Sequence, residues 1–257
     1  DAEPSPRRPH DIIAPPGGRD GSRPRPPGPR ARVKWLAGSV RDDPAVMITA
    51  AFDQAEARDP RHTRTWVALV DGAEHQLDLI RAEAARRAVT IHIVIDIIHV
   101  IEHLWQAGRS LYPAGDPAAG DWVAVKALAV LAGDSERAAA EITAQASAAG
   151  LTPGQQAGTS SCVRYLTSNN DCLRYDQALA AGWPIATGVI EGACRHIIGD
   201  RLCITGSRWG LDSAEAVLTL RAVIANGDFE DYWRYHLERE HQRLYPGTAQ
   251  GQYTLSA

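Results

Sequence analysis

The stretch 65–96, TWVALVDGAEHQLDLIRAEAARRAVTIHIVID, decides the fold class. TWVALV is a continuous apolar run closed by Asp71-Gly72, the pattern of a strand covered on both faces. From Ala73 to Arg87 the period changes, and Leu77, Ile80 and Ala84 fall on one helical face. VTIHIVI, 89–95, returns to β-branched residues and ends at Asp96. Strand, helix and strand within about thirty residues make a βαβ unit with parallel strands. Asp71 and Asp96 then stand at the carboxyl ends of neighbouring parallel strands, the edge where open α/β sheets bind ligands.

Upstream, VKWLAGSV (33–40) reads as a short strand. Asp42, Asp43 and Pro44 start a helix through Arg58 with Val46, Ala50, Ala51 and Ala55 on one side. Residues 1–32 are dominated by Pro, Gly and Arg and cannot bury enough apolar surface to offset their ordering entropy, so they are expected to be disordered or extended. Their arginines suit either a DNA backbone or a solvated linker.

Downstream, 97–112 is helical with Ile97, Val100, Ile101 and Leu104 inward. The span 111–182 reads as an all-helical, Ala-rich insertion. Pro184 then stops one helix, and Thr187 or Gly188 can cap the next, with Ile190, Cys194 and Ile197 as its buried face. Glu191 sits beside that face and Arg195 one turn on. Taken alone, Glu191 favours the positive helix end and pairs with Arg195. Asp212 and Glu215 form a capping box for a helix with Ala216, Leu220 and Val223 inward, and Asp228 caps the last helix. The tail after Pro246 is expected to fray.

Composition bounds the possibilities. The 257 residues suffice for one large domain or two small ones. All basic residues except Lys34 and Lys126 are arginine, which suits phosphate contacts, but the net charge of −4 excludes a uniformly basic DNA-coating protein. Cys162, Cys172, Cys194 and Cys203 form no zinc-like spacing and read as thiols in a reducing cytoplasm. His92, His99 and His103 invite a zinc reading, yet HVIEH is not HExxH and no third ligand is evident. Neither a signal peptide nor a bilayer-spanning apolar run is apparent, so a cytoplasmic, nucleoid-associated location is expected. The start at Asp1, with Met47 the sole methionine, reads as a fragment or remnant.

GVIEGACRHIIGDRLCITGSRW, LDSAEAVLTLRA and FEDYWRYH, together with WVALVDGAEHQLDLI, VTIHIVIDIIHVIEHLW and LRYDQALAAGWPIATG, resemble the catalytic region of DDE-type insertion-sequence transposases. The nearest likeness is to the ISKra-four family, distantly akin to Mutator-like transposases, over roughly 33–245. The resemblance implies an α/β, ribonuclease H-like core in two parts, 33–110 and 183–245, around the helical insertion. It makes Glu191 the third metal-binding carboxylate and Asp71 the second, with Asp96 the rival and His99 in a supporting pair. It implies Mg²⁺ as cofactor, two ions with Mn²⁺ as substitute, because two metals can activate the attacking oxygen and stabilise the leaving one. The implied partners are DNA, both transposon ends and target, and a second copy in a dimer or larger assembly. Arg195, His196, Arg201 and Arg208 become candidates to grip phosphates and Trp209 to stack on a splayed base, with core packing the other reading of Trp209. The first strands and first aspartate are missing, since Asp11 and Asp20 lie in Pro/Gly-rich sequence. A non-catalytic DNA-binding or assembly module derived from a transposase is the alternative.

Overall fold

The computed structural model describes residues 1–18 and 26–245, without the side chains of 189–191. In chain order the elements are β1 (Ala2–Glu3), α1 (Pro9–Ile12), β2 (Arg30–Ala31), α2 (Pro44–Arg58), β3 (Trp66–Val70), α3 (Glu74–Arg86) and β4 (Ile91–Ile95). Helices α4 (Ile97–Leu111), α5 (Pro117–Leu131), α6 (Ser135–Ala148), α7 (Gln156–Ser168) and α8 (Tyr175–Ala181) follow, with a 3-10 turn at Asn170–Cys172. The chain continues through α9 (Gly188–Cys194), a π turn at Arg195–Gly199, α10 (Asp200–Leu202), α11 (Leu211–Asn226) and α12 (Phe229–Leu244). The protein is therefore broadly α/β but mostly helical, with small sheets. It divides into two compact units, Asp1–Val33 with Asp43–Glu191, and Lys34–Asp42 with Gly192–Ala257.

The first unit holds the βαβ element. β3 and β4 pair in parallel, Trp66 opposite Ile91 through Val70 opposite Ile95. Asp59 fixes the entry to β3: its carboxylate accepts the backbone N–H of Thr63 and Arg64 and the indole N–H of Trp66 at 3.0 Å. Leu77, Ile80 and Ala84 of α3 are buried as their spacing predicts. α5 is apolar on nearly every side, which sends it to the centre, and Ala127, Val130 and Leu131 are fully enclosed. The helical block 111–182 contains no strand, as expected, and shares one core with the sheet. The fully buried Tyr175 of α8 donates its hydroxyl to the Ile95 carbonyl at 2.7 Å, tying that block to the end of β4.

Several expectations change here. Among the described residues of 1–32, β1 and β2 form an antiparallel pair, and Ser5 and Arg7 donate backbone N–H groups to the carbonyls of Gly182 and Leu179, both at 3.0 Å. Ile12 and Ile13 supply the apolar anchor that composition hides. On α2 it is Phe52 that is buried, whereas Val46 is exposed.

In the second unit VKWLAGSV is not a strand. The Asn226 amide of α11 bonds both the N–H and the carbonyl of Leu36, standing in for a strand partner. Glu215 accepts from Ser39 and the Val40 N–H, and Asp212 pairs with Arg41, so the expected capping box of α11 does not form. Those carboxylates hold segment 34–42 instead. The buried face of α11 is Ala214, Leu218 and Ala222, rather than Ala216, Leu220 and Val223. Cys194 is exposed although Ile197 is buried. Residues 34–42 and 192–245 are grouped together in this second unit.

Candidate active site

The carboxyl edge of β3 and β4 carries two aspartates with opposite fates. Asp71 follows β3 directly, and Gly72, at φ +93°, turns the chain away toward α3. A Cβ at Gly72 would lie 2.9 Å from the Tyr165 hydroxyl and 3.0 Å from Ile95, so only glycine fits this turn. One Asp71 carboxylate oxygen accepts the Ala73 N–H at 3.0 Å. The side chain is otherwise exposed, with no cation paired to it among the described residues.

Asp96 is completely enclosed. One of its oxygens accepts the Ile98 N–H at 2.8 Å and caps α4. The other accepts the Thr187 N–H at 2.8 Å and also the Thr187 hydroxyl. The adjoining backbone repeats the tie, since the Ile97 N–H meets the Ile185 carbonyl at 2.9 Å. Asp96 therefore fastens 185–187, the lead-in to α9, onto the sheet edge. Three donors thus meet its two oxygens, two of them on the oxygen that faces Thr187.

Glu191 lies on α9, one turn from the residue that Asp96 holds. Its side chain falls outside the described residues, and so does the expected meeting of Asp71 with Glu191. The same holds for Ile190 as a buried residue.

Tyr165 of α7 completes the edge and was not singled out by sequence. Its hydroxyl donates to the Asp71 carbonyl at 3.1 Å, and its ring stacks on His103 at 3.9 Å. Burial, and then the charges of Asp71, Asp96 and Glu102, push the phenol up to about 12, so it remains a donor. Burial lowers the His103 pKa, with His99 adding to the shift and Glu102 opposing it, which favours a neutral imidazole. A tyrosine on an apolar helical stripe gives no sequence signal beyond core packing.

The histidines serve packing and surface pairing. His92 packs on Trp183 at 4.7 Å, and His99 is half-exposed, 3.3 Å from Glu102 rather than against either aspartate. Among the described residues no group of three His, Cys, Asp or Glu side chains is arranged to hold a metal ion. In the second unit Arg195, Arg201 and Arg208 are exposed without partners among the described residues. Trp209 is exposed too. His196 pairs with Asp200 at 3.1 Å, and its carbonyl accepts Arg221.

Comparison with known protein families, with curated proteins and with solved structures finds no match to this chain.

Proposed function

We propose that the chain carries part of the catalytic core of a DDE-type insertion-sequence transposase, in a ribonuclease H-like arrangement. It would cut and transfer DNA strands at element ends with Mg²⁺ or Mn²⁺, as a dimer or larger assembly in the bacterial cytoplasm. One observation carries the reading: Asp71 offers a free carboxylate at the same edge to which Asp96 fastens the lead-in of the Glu191 helix. Rigid presentation at a strand end suits a hard cation.

The fit to two metals is partial. Asp71 suits a ligand role by its exposure, whereas Asp96, enclosed and already accepting three hydrogen bonds, suits the positioning of α9. Exposed Arg195, Arg201, Arg208 and Trp209 would contact DNA, the arginines through phosphates. Among the described residues no helix is long and apolar enough to cross a membrane.

The use of Asp96 as a fastening rather than an open ligand also favours the second reading, a non-catalytic DNA-binding or assembly module. Titration calorimetry with Mn²⁺ separates the two. In the catalytic reading Asp71→Asn and Glu191→Gln each weaken binding about tenfold, as loss of one hard ligand does, while Asp96→Asn changes it far less. Equal affinity in the wild type, Asp71→Asn and Glu191→Gln proteins would overturn it. With two of three carboxylates proposed, strand cleavage by these 257 residues alone is not expected. Robust Mg²⁺-dependent cleavage would mean that the first carboxylate lies within them.

A further inference from the structure

The lead-in to α9 is gripped twice. Asp96 holds Thr187, and the Ile97 N–H holds the Ile185 carbonyl. The other grip comes from the far end of the sequence, residues 5–7. Carbonyls in the last turn of a helix lack partners farther along it. At the end of α8 the Ser5 N–H meets the Gly182 carbonyl and the Arg7 N–H the Leu179 carbonyl, both at 3.0 Å. The Arg7 guanidinium donates one residue further on, to the Trp183 carbonyl at 3.3 Å. Gly182 takes the left-handed conformation, at φ +74°. A Cβ there would lie 2.5 Å from the Ser5 nitrogen and 2.8 Å from that of Pro6, so glycine admits the arm as well as the turn.

The arm is itself anchored on both sides of this contact. β1 precedes it, paired with β2, and Ile12 and Ile13 follow it, packed against the core. The Arg7 Nε is buried without a hydrogen-bond partner, which is unfavourable by itself and persists only where surrounding contacts outweigh it. Between the two grips lie only residues 183–187. Pro184 fixes one φ of that span, Trp183 packs on His92 of β4 at 4.7 Å, and Ile185 is buried. With both grips closed, little backbone freedom remains before α9 starts at Gly188.

We infer that Arg7 is a positioning residue for the Glu191 helix, acting through Trp183. The arm at 5–7 is a strap that holds the end of α8 and so sets where α9 begins. Its effect on metal binding rests on the ligand role proposed for Glu191. The strap itself rests only on contacts within the first unit.

Hydrogen exchange and Mn²⁺ calorimetry on the full chain test it. In Arg7→Ala the Thr187 N–H exchanges about tenfold faster, the effect of one lost charge-assisted hydrogen bond. The N–H of the fully buried Leu166, on α7, keeps its rate. Gly182→Ala, which forces Ser5 away, gives the same pattern. Arg7→Lys restores most of the protection, because an ammonium can still donate to the Trp183 carbonyl. Equal acceleration at Thr187 and Leu166, or none at Thr187 in either alanine variant, would overturn the strap. Arg7→Ala also weakens Mn²⁺ binding roughly threefold in the wild-type and Asp71→Asn backgrounds but not in Glu191→Gln, as coupling through a shared backbone shift requires. The same loss in all three backgrounds would make Arg7 a structural residue only and overturn the proposal. Absence of Mn²⁺ binding in the wild-type protein would remove the ligand role of Glu191, while the exchange rates would still decide the strap.

Discussion

The two units of this chain bury apolar surface very differently. In the first, Val100, Leu104, Val130, Leu131, Ile142, Leu166 and Tyr175 are completely enclosed, and α4, α5, α7 and β4 share one cluster. In the second, the buried apolar residues among those described are Ile197, Ala214, Leu218 and Ala222, two of them alanines. Trp209, Leu211, Ile224, Phe229, Trp233 and Leu237 all face solvent there. Removal of apolar surface from water is the main favourable term in folding, so the first unit carries the means of its own stability and the second largely does not. Apolar residues left outside a core are available to a partner. A closed unit presenting a carboxylate edge is thus joined in one chain to an open unit presenting apolar and arginine-bearing surface.

Core truncation should break this comparison most visibly. Leu104 has no exposed surface and neighbours on every side, so Leu104→Ala leaves a cavity that cannot collapse. A loss of about 3–5 kcal/mol is expected. Leu218→Ala removes a buried side chain whose surroundings are open and can relax, for a loss of about 2 kcal/mol or less. Urea unfolding followed by circular dichroism measures both, and equal losses would erase the distinction between the units.

What sequence could tell about the fold follows the same division. Where the burying partner is local, periodicity alone sufficed: the βαβ unit, the inward face of α3 and the helical block 111–182 all appear as expected. Where the partner is distant in sequence, it failed. Segment 33–40 was expected to be a strand because it is apolar, yet the backbone groups of Leu36 are met by Asn226. Glu215 looked like a capping residue because of its spacing from Asp212, but Ser39 and Val40 claim it. The face of α11 was misassigned for a related reason, since alanine and leucine occur around the whole helix and leave the period weak. Among the described residues of 1–32 the apolar anchor is Ile12 and Ile13, too little to register in composition. At the candidate site the two aspartates were legible because strands end there. The roles of Thr187 and Tyr165 were not, being set by contacts across 91 and 94 residues.

The two aspartates permit a sharper test within the first unit. Asp96→Asn turns one acceptor oxygen into a donor facing Thr187 and so strands buried polar groups. The expected cost is about 2–3 kcal/mol, with α9 loosened at its start. Asp71→Asn alters an exposed side chain that can still accept the Ala73 N–H, so stability should move by less than about 0.5 kcal/mol. Thermal unfolding separates the two variants directly. A large loss in Asp71→Asn would make it a structural residue and remove it from the site.

The smallest expected effect is a dependence on acid that belongs to the first unit. Arg87 there is nearly enclosed and bridges Glu83 at 2.7 Å, Glu56 at 2.7 Å and Asp53 at 2.6 Å, joining α2 to α3. Hydrogen bonding from Arg86, and then from Arg87 against the cost of burial, holds the Glu83 carboxyl down to about 2. In the unfolded chain a glutamate titrates near 4.3. Because the folded value is the lower one, the stabilisation is complete above about 4.3 and is lost progressively as pH falls toward 2. The second unit's pairs, such as Arg41 with Asp212 and Arg234 with Asp231, are exposed on both sides and contribute little at any pH. Melting temperatures taken between pH 5.5 and pH 3, followed by near-ultraviolet dichroism, should therefore fall as acid is added. Glu83→Gln should lower the melting temperature at pH 5.5 and flatten its slope below that, because the group whose protonation drives the loss is gone. A slope unchanged by Glu83→Gln would move the acid sensitivity away from the junction of α2 and α3, and with it one reason for treating the first unit as the self-sufficient one.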